Sequence, residues 1–467
     1  MPDPDLDVRA LLHRVADEAG DWFDALDERP VGPAHTPADM TVVDALSDDP
    51  MGVEDVVAEL SREAAPGLTA MGSPRFFGFV IGGAHPAGVA ADWLVSAWDQ
   101  NAGLAAPTPA VAAFEAVAGR WLLELLGLPG GASFAFVTGC QMAHVTALAA
   151  ARHRVLATAG HDVERDGLAG APAIRVVTGE ERHVTVDRAL RFLGIGAAAV
   201  EPVAVDERGA MRADALRTAL AAGDDRPTIV IAQVGNVNTG AVDPMPDVCA
   251  AGHEAGAWVH VDGAFGLWAA ASPARRELVR GVERADSWAT DAHKWLNVPY
   301  DSGLAVVRDT AAHRAAMAVT AAYLVQDPDG PREPMDWTPE FSRRARGVAV
   351  YATLRALGRS GVAELVDRLC DCAERFAARL AATDGFEVLA QGLNQVLVRV
   401  GDDDAHTLAT LAAVQADGTC WPSATTWRGR SCIRLSVSSW RTTAADVDRS
   451  VEALTRASAE AATGARR

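Results

Sequence analysis

A chain of 467 residues that is 49% hydrophobic and 22% charged can bury a large core with a smaller second domain, and leaves little room for extensive disorder. Its 62 acidic residues against 42 basic ones give a formal charge of -20, and no basic run interleaves with aromatics, which argues against a nucleic-acid partner. The six cysteines, Cys140, Cys249, Cys370, Cys372, Cys420 and Cys432, make no CxxC pair, so neither a metal site nor a disulfide framework is expected and a reducing cytoplasm fits.

In chain order, the opening MPDPDLDVRALLHRV has acid where a signal peptide has base and lacks an apolar h-region, so secretion is not expected. Residues 1–100 read as an N-terminal helical arm: acidic-faced patterns such as MGVEDVVAELSREAAPG precede the Gly-rich PRFFGFVIGGAHPAGVAADW. The uncharged run from Leu125 to Ala151 is long enough to suggest a membrane span. LPGGAS and TGCQ break it into a helix end, a strand and a helix start, so it reads as core and no membrane partner is expected.

From Ser133 onward, short β-rich runs (SFAFVT, AIRVVTG, AAAVEPVAV, TIVIAQV, AWVHVDG, SGLAVVR) alternate with helical patterns such as MAHVTALAAARHRVLATAG and DVCAAGHEAG. That alternation predicts an α/β layer with a largely parallel sheet over residues 101–340, whose ligands gather where strands end at their carboxyl sides. After Tyr323 the chain turns to LVQDPDGPREPMDWTPEFSRR, then a long helical stretch and a tail with NQVLVRV and SCIRLSVSSW, read as a small C-terminal α+β domain over 341–467. GIGAAA (Gly194 to Ala199) matches a loose dinucleotide fingerprint, but it follows a helical pattern and precedes a strand, the reverse of the required order. No GxSxG elbow is present.

Four strand-end segments carry different polar groups. TGCQMAH (Thr138 to His144) places a turn at a helix N-terminus, where free N–H groups and the helix dipole favour an anion. ERHVTVDRA places His183 after a strand, HVDGAFG ends a strand on Asp262, and DAHKWL supplies His293 and Lys294. Singly these have ordinary explanations: a snorkelling lysine, a capping aspartate, a structural histidine. Jointly they match the needs of pyridoxal 5'-phosphate. Lys294 offers an amine for a Schiff base, the TGCQ turn a phosphate cradle, Asp262 a carboxylate for the ring nitrogen, His183 a flat stacking partner and Ala264 a small residue on the other face.

SWATDAHKWLNVPYDSG, HVDGAFG, NVNTGAVDP, ERHVTVDRALRFLGIG and PRFFGFVIGG together resemble the pyridoxal-phosphate-dependent group II amino acid decarboxylases, the family of aromatic amino acid and glutamate decarboxylases. The resemblance runs in order from about Pro74 to Trp440, and its DxHKW motif is specific. It implies an aspartate-aminotransferase-like (fold type I) α/β enzyme, usually a homodimer with sites at the subunit interface, that decarboxylates an L-amino acid to the amine and CO2. Lys294, His183 and Asp262 are the implied catalytic residues; Lys294, Asp262, Ala264, His183, His293, Cys140, Gln141 and Asn236 the implied cofactor contacts, His293 and the Cys140–Gln141 backbone at the phosphate with Asn236 near it.

Two departures matter. Cys140 and Gln141 stand where the family often has small hydroxyl residues or glycine, so backbone donors are expected to dominate the cradle. Many members also carry a tyrosine in the mobile loop before the second domain, whereas VQDPDGPREPMDWTPEF has none and the chain's tyrosines are Tyr300, Tyr323 and Tyr351. Either another acid, His183 or a loop of the partner subunit, protonates the substrate carbon, or the outcome is aldehyde formation, Cα–Cβ cleavage or transamination; a cofactor-binding protein without turnover is the reading from another class. Seven tryptophans near these segments weakly favour an aromatic substrate, and Arg434 is read either as a carboxylate ligand or as part of an ion pair.

Overall fold

The computed structural model describes residues 6–319 and 332–464. Seven strands, β1 (Ser133–Val137), β2 (Arg175–Gly179), β3 (Val200–Val203), β4 (Thr228–Gln233), β5 (Trp258–Asp262), β6 (Ser287–Asp291) and β7 (Gly303–Val307), form one sheet in the order β1-β7-β6-β5-β4-β2-β3. All pairs are parallel except those of β7, which runs antiparallel to both β1 and β6. β1, β5, β6 and β7 are buried at every position, because helices cover both faces; that is why β1 and β7 read as near-continuous apolar runs rather than alternating ones.

A smaller antiparallel sheet in the order β10-β11-β9-β8 follows, built from β8 (Phe386–Gly392), β9 (Gln395–Val400), β10 (Ser423–Trp427) and β11 (Arg430–Ser436). The long helix Arg346–Ala381 leads into it and is broken at Gly358, whose φ of 64° leaves the helical region. The mostly parallel large sheet and the small C-terminal α+β part expected from the sequence are both present.

The sequence reading missed β6, β8 and β10. In SWATD only Trp288 and Ala289 are apolar, so its burial comes from lying between β5 and β7 rather than from its own pattern. The Leu125–Ala151 run is, as read, a helix end, β1 and a helix start, and among the described residues no helix is long and apolar enough to cross a membrane.

Register aligns the site. Gln233 on β4 pairs with Asp262 on β5, and Asp262 with Ala289 on β6, so the carboxyl ends of three neighbouring strands meet at one edge. Gly303 pairs with both Asp291 and Val137, and a Cβ there would lie 2.5 Å from the Gly139 backbone. The glycine lets the helix Cys140–Thr158 start directly against that edge.

The segment 76–83 laces the two sheets to the lysine loop. Phe77 donates its N–H to the Trp421 carbonyl and accepts from Ser436 N–H, at 2.9 and 3.0 Å. Six residues on, Gly83 N–H and Trp440 N–H both donate to Asn297 Oδ1, at 2.6 and 3.0 Å. Gly82 N–H donates to the His293 carbonyl at 3.2 Å, and a Cβ on Gly82 would fall 2.0 Å from the Lys294 carbonyl oxygen.

Candidate active site

One cavity of about 270 Å³ collects most of the residues singled out in the sequence: Cys140, Gln141, His183, Asp262, Ala264, His293 and Lys294 all line it. Asn236 does not. Its Oδ1 accepts from Asn238 N–H and Thr239 N–H, and its Nδ2 donates to the Glu181 carbonyl. The side chain is spent closing a turn, and the expected phosphate contact is withdrawn.

Lys294 follows β6 by three residues, and its Nζ lies 2.9 Å from Asp291 Oδ2. Burial works against the ammonium, but Asp291, Cys140 and Asp262 together outweigh it, and the Lys294 pKa is raised above the ordinary lysine value. The other oxygen, Asp291 Oδ1, accepts from Cys140 N–H at 2.5 Å and lies 3.4 Å from His293 Nε2. A carboxylate therefore binds the N-terminus of the helix Cys140–Thr158, where the dipole favours an anion. His293 stacks on Tyr300 with ring centroids 4.2 Å apart, and its burial lowers its pKa.

Asp262 ends β5. Its Oδ1 accepts from Ala264 N–H at 3.2 Å and lies 3.6 Å from His144 Nε2. Burial pushes the carboxyl up, but His144, His183 and Lys294 together outweigh it and hold it well below the usual carboxylate range. A depressed pKa means that Asp262 is ionised across neutral pH, as a partner for a protonated ring nitrogen must be.

His183 caps the helix Val184–Phe192. Its Nδ1 accepts from Thr185 N–H at 3.4 Å and lies 2.8 Å from Thr185 Oγ1. The capped ring therefore carries its proton on Nε2 when neutral. Burial lowers its pKa, favouring that neutral form.

Phe79, Val80, Val237 and Phe265 supply the apolar wall. Phe79 and Val80 both have positive φ, 56° and 59°, a conformation that costs on the order of 1–3 kcal/mol per non-glycine residue and concentrates at functional sites. Behind Val237, Arg434 on β11 donates Nη1 to the Val237 carbonyl at 3.3 Å, while its Nε has no partner. Of the two readings of Arg434, the ion pair finds no carboxylate among the described residues.

Sequence reasoning gave no role to Asp291, His144 or His260. A usable signal existed for each. His260 and Asp262 are two apart on a strand and share a face, His144 is one helical turn after Cys140, and Asp291 precedes the His-Lys pair.

The set fits pyridoxal phosphate by its chemistry: one primary amine, one buried ionised carboxylate, one imidazole and a helix N-terminus around a single cavity. Lys294, Asp262, His183 with Ala264, and the Gln141 backbone with His293 are the groups that would hold it; Cys140 N–H, expected at the phosphate, is taken by Asp291.

The family model described as "Pyridoxal-dependent decarboxylase conserved domain" matches residues 37–400. The chain is 30% identical over 405 residues to a tyrosine decarboxylase of Oryza sativa subsp. japonica, covering 82% of this chain and 74% of the relative. It is 25% identical over 407 residues to a phenylacetaldehyde synthase of Petunia hybrida, covering 83% and 78%. In fold it is similar to the crystal structure of Oryza sativa TDC with PLP and tryptamine, with a TM-score of 0.91, 24% identity and coverage of 98% and 99%.

Proposed function

Because the chain belongs to the pyridoxal-dependent decarboxylase family, we propose that it removes the carboxylate of an aromatic L-amino acid, with Lys294, Asp262 and His183 acting at the cavity described above. It is a pyridoxal-phosphate-dependent carboxy-lyase; the aromatic class and the residue roles are our reading. One observation carries it: an amine, a carboxylate and an imidazole of suitable protonation converge on one cavity walled by Phe79, Val80, Val237 and Phe265.

When bound, pyridoxal phosphate supplies an aldehyde for the amino group and a protonated ring that accepts the electron pair left by departing CO2. Lys294 provides the amine that anchors the cofactor and yields to the incoming substrate. Asp262 holds a proton on the ring nitrogen. Gln141 N–H and His293 serve the phosphate, Cys140 N–H being held by Asp291, and the apolar wall excludes water from the carbanion. His183 Nε2 has no protein partner among the described residues, and we assign His183, in its imidazolium form, the delivery of a proton to the substrate carbon after CO2 leaves; the neutral ring left behind is the form that burial favours. Residues 325–331 of the tyrosine-free loop, and Tyr323 just before it, lie outside the described residues.

A second outcome, aldehyde formation, is favoured by one feature, the absence of tyrosine from VQDPDGPREPMDWTPEF; the relatives include an aldehyde synthase as well as a decarboxylase. One experiment separates the two. Cofactor-loaded protein is incubated with a mixture of amino acids, and products are identified by mass spectrometry against a Lys294→Ala control. An aromatic amine is the expected product. An aldehyde with ammonia and hydrogen peroxide, formed as dissolved O2 is consumed, would replace simple decarboxylation by the second, oxidative outcome, and an aliphatic or acidic amine would overturn the aromatic assignment.

Two further assignments belong to this reading. The helices Val8–Ala25 and Val53–Ala64 bury none of their residues, and Leu12, Leu60, Trp93, Leu94 and Trp98 are exposed. Apolar surface on that scale supports a second copy of the chain as its cover. Sedimentation should give twice the 48.9 kDa chain mass; a single-chain mass at micromolar concentration would refute the homodimer. Six buried free thiols support a reducing cytoplasm.

A further inference from the structure

A file of polar side chains runs from Asp262 into the core, away from the cavity. His144 Nε2 lies 3.6 Å from Asp262 Oδ1 and 3.5 Å from Cys140 Sγ. His144 Nδ1 is 2.9 Å from His260 Nε2, and His260 Nδ1 is 2.8 Å from Ser287 Oγ. Trp258 Nε1 donates to the same hydroxyl at 2.8 Å. His144, His260 and Ser287 have no exposed surface, so each of their polar atoms must find its partner within the protein.

One arrangement of protons satisfies the whole file with neutral rings. Indole can only donate, so Ser287 Oγ accepts from Trp258. The Ser287 hydroxyl then donates to His260 Nδ1, since no other acceptor for it is found among the described residues. His260 carries its proton on Nε2 and donates to His144 Nδ1. His144 then turns Nε2–H toward Asp262 Oδ1 at 3.6 Å, with Cys140 Sγ beside it at 3.5 Å. Burial lowers the His260 pKa well below the ordinary histidine value, which keeps that ring neutral. In the reversed arrangement the buried Ser287 proton has no acceptor, and His144 reaches Asp262 with a donor only as a buried cation.

We propose that His144, oriented by His260 and Ser287 from a donor that cannot reverse, is a positioning residue that fixes Asp262 in its ionised form and so keeps the cofactor's ring nitrogen protonated. The inference rests on the assignment of Asp262 to that nitrogen. Its elements come from three places in the fold: His144 from the helix Cys140–Thr158, Trp258 and His260 from β5, and Ser287 from the first position of β6, where register sets it opposite His260. Coupled polar files of this kind polarise one another, so loss of one member is felt at the end of the chain.

The test is 15N NMR of the holoenzyme carrying cofactor labelled at the ring nitrogen. The unaltered protein should give the signal of a protonated ring at neutral pH. His144→Phe should move it toward that of the unprotonated ring and lower kcat by about 10- to 100-fold, the scale on which outer partners of site residues act, with KM little changed. His144→Gln, which can restore an N–H, should recover most of both. Asp262→Asn is the reference. If it keeps the protonated signal, the assignment of Asp262 falls and this inference with it. A signal lost in Asp262→Asn but kept in His144→Phe overturns the inference alone. A second measurement needs no substitution: in protein labelled with 15N-histidine, His144 and His260 should both be neutral Nε2–H tautomers, and an Nδ1–H form of either ring overturns the proton order.

Discussion

Replacing Lys294 with alanine should cost on the order of 10³- to 10⁶-fold in kcat, the range seen when a residue that works covalently as part of a unit is deleted. The loss has two sources. The amine that would carry the cofactor is gone, and Asp291, which faces Lys294 Nζ at 2.9 Å, keeps a buried carboxylate without its strongest counter-charge. The measurement is visible absorbance of the loaded protein, followed by borohydride reduction and peptide mapping. In the unaltered chain the reduced cofactor should map to Lys294. A Lys294→Ala protein that stays coloured and maps to another residue would sink the assignment.

The second large effect is at Asp262. Asp262→Asn conserves shape and removes the charge, and kcat should fall by about 10²- to 10³-fold, the usual cost of removing one preorganised electrostatic group. Cofactor loading should change much less, since Lys294 and the phosphate cradle are untouched. Equal losses in loading and turnover would make Asp262 a structural residue. The pH behaviour follows from the direction of its shift. A depressed folded-state pKa gives stability that is present above the unfolded value near 3.9 and lost as pH falls through the folded one. Asp262 therefore stays charged at every pH where the fold persists. A limb in which kcat falls as pH rises belongs to another group, with His183, the proton donor in the cavity, the candidate; burial sets it below the ordinary histidine value.

Most of this site was legible because its residues sit in short segments at strand ends. HVDG, ERH and DAHKW each place a reactive group at or shortly past the carboxyl end of a strand, Asp262 on the last residue of β5, His183 four residues after β2 and Lys294 three after β6, and a parallel sheet brings such positions to one edge whatever the loops do between them. Asn236 failed for a local reason: NVNTG reads equally as a ligand loop and as an Asx turn, and the turn took the side chain. β6 was hidden because an interior strand needs little apolar pattern of its own when neighbours cover both faces. The His144–His260 contact joins residues 116 positions apart, a separation no periodicity reports; only the register of β5 against β6 and the packing of the helix over them bring the rings together. The tyrosine-free loop, by contrast, is plain in the sequence, and its consequence is chemical rather than architectural.

The lacing of residues 76–83 bears on how this chain could be recombined with its relatives. Asn297 Oδ1 is shared by an N–H from the N-terminal third and one from the C-terminal tail, and Phe77 is clasped on one side by Trp421 and on the other by Ser436. The stretch behaves as a keystone between parts that look separable on a linear map. A chimera that imports the first hundred residues from a relative inherits half of each clasp and leaves the other half behind. Crossovers near residue 100 or 340 would cut these pairings, so the units of exchange are the mated segments 76–83, 293–297 and 421–440, which must travel together.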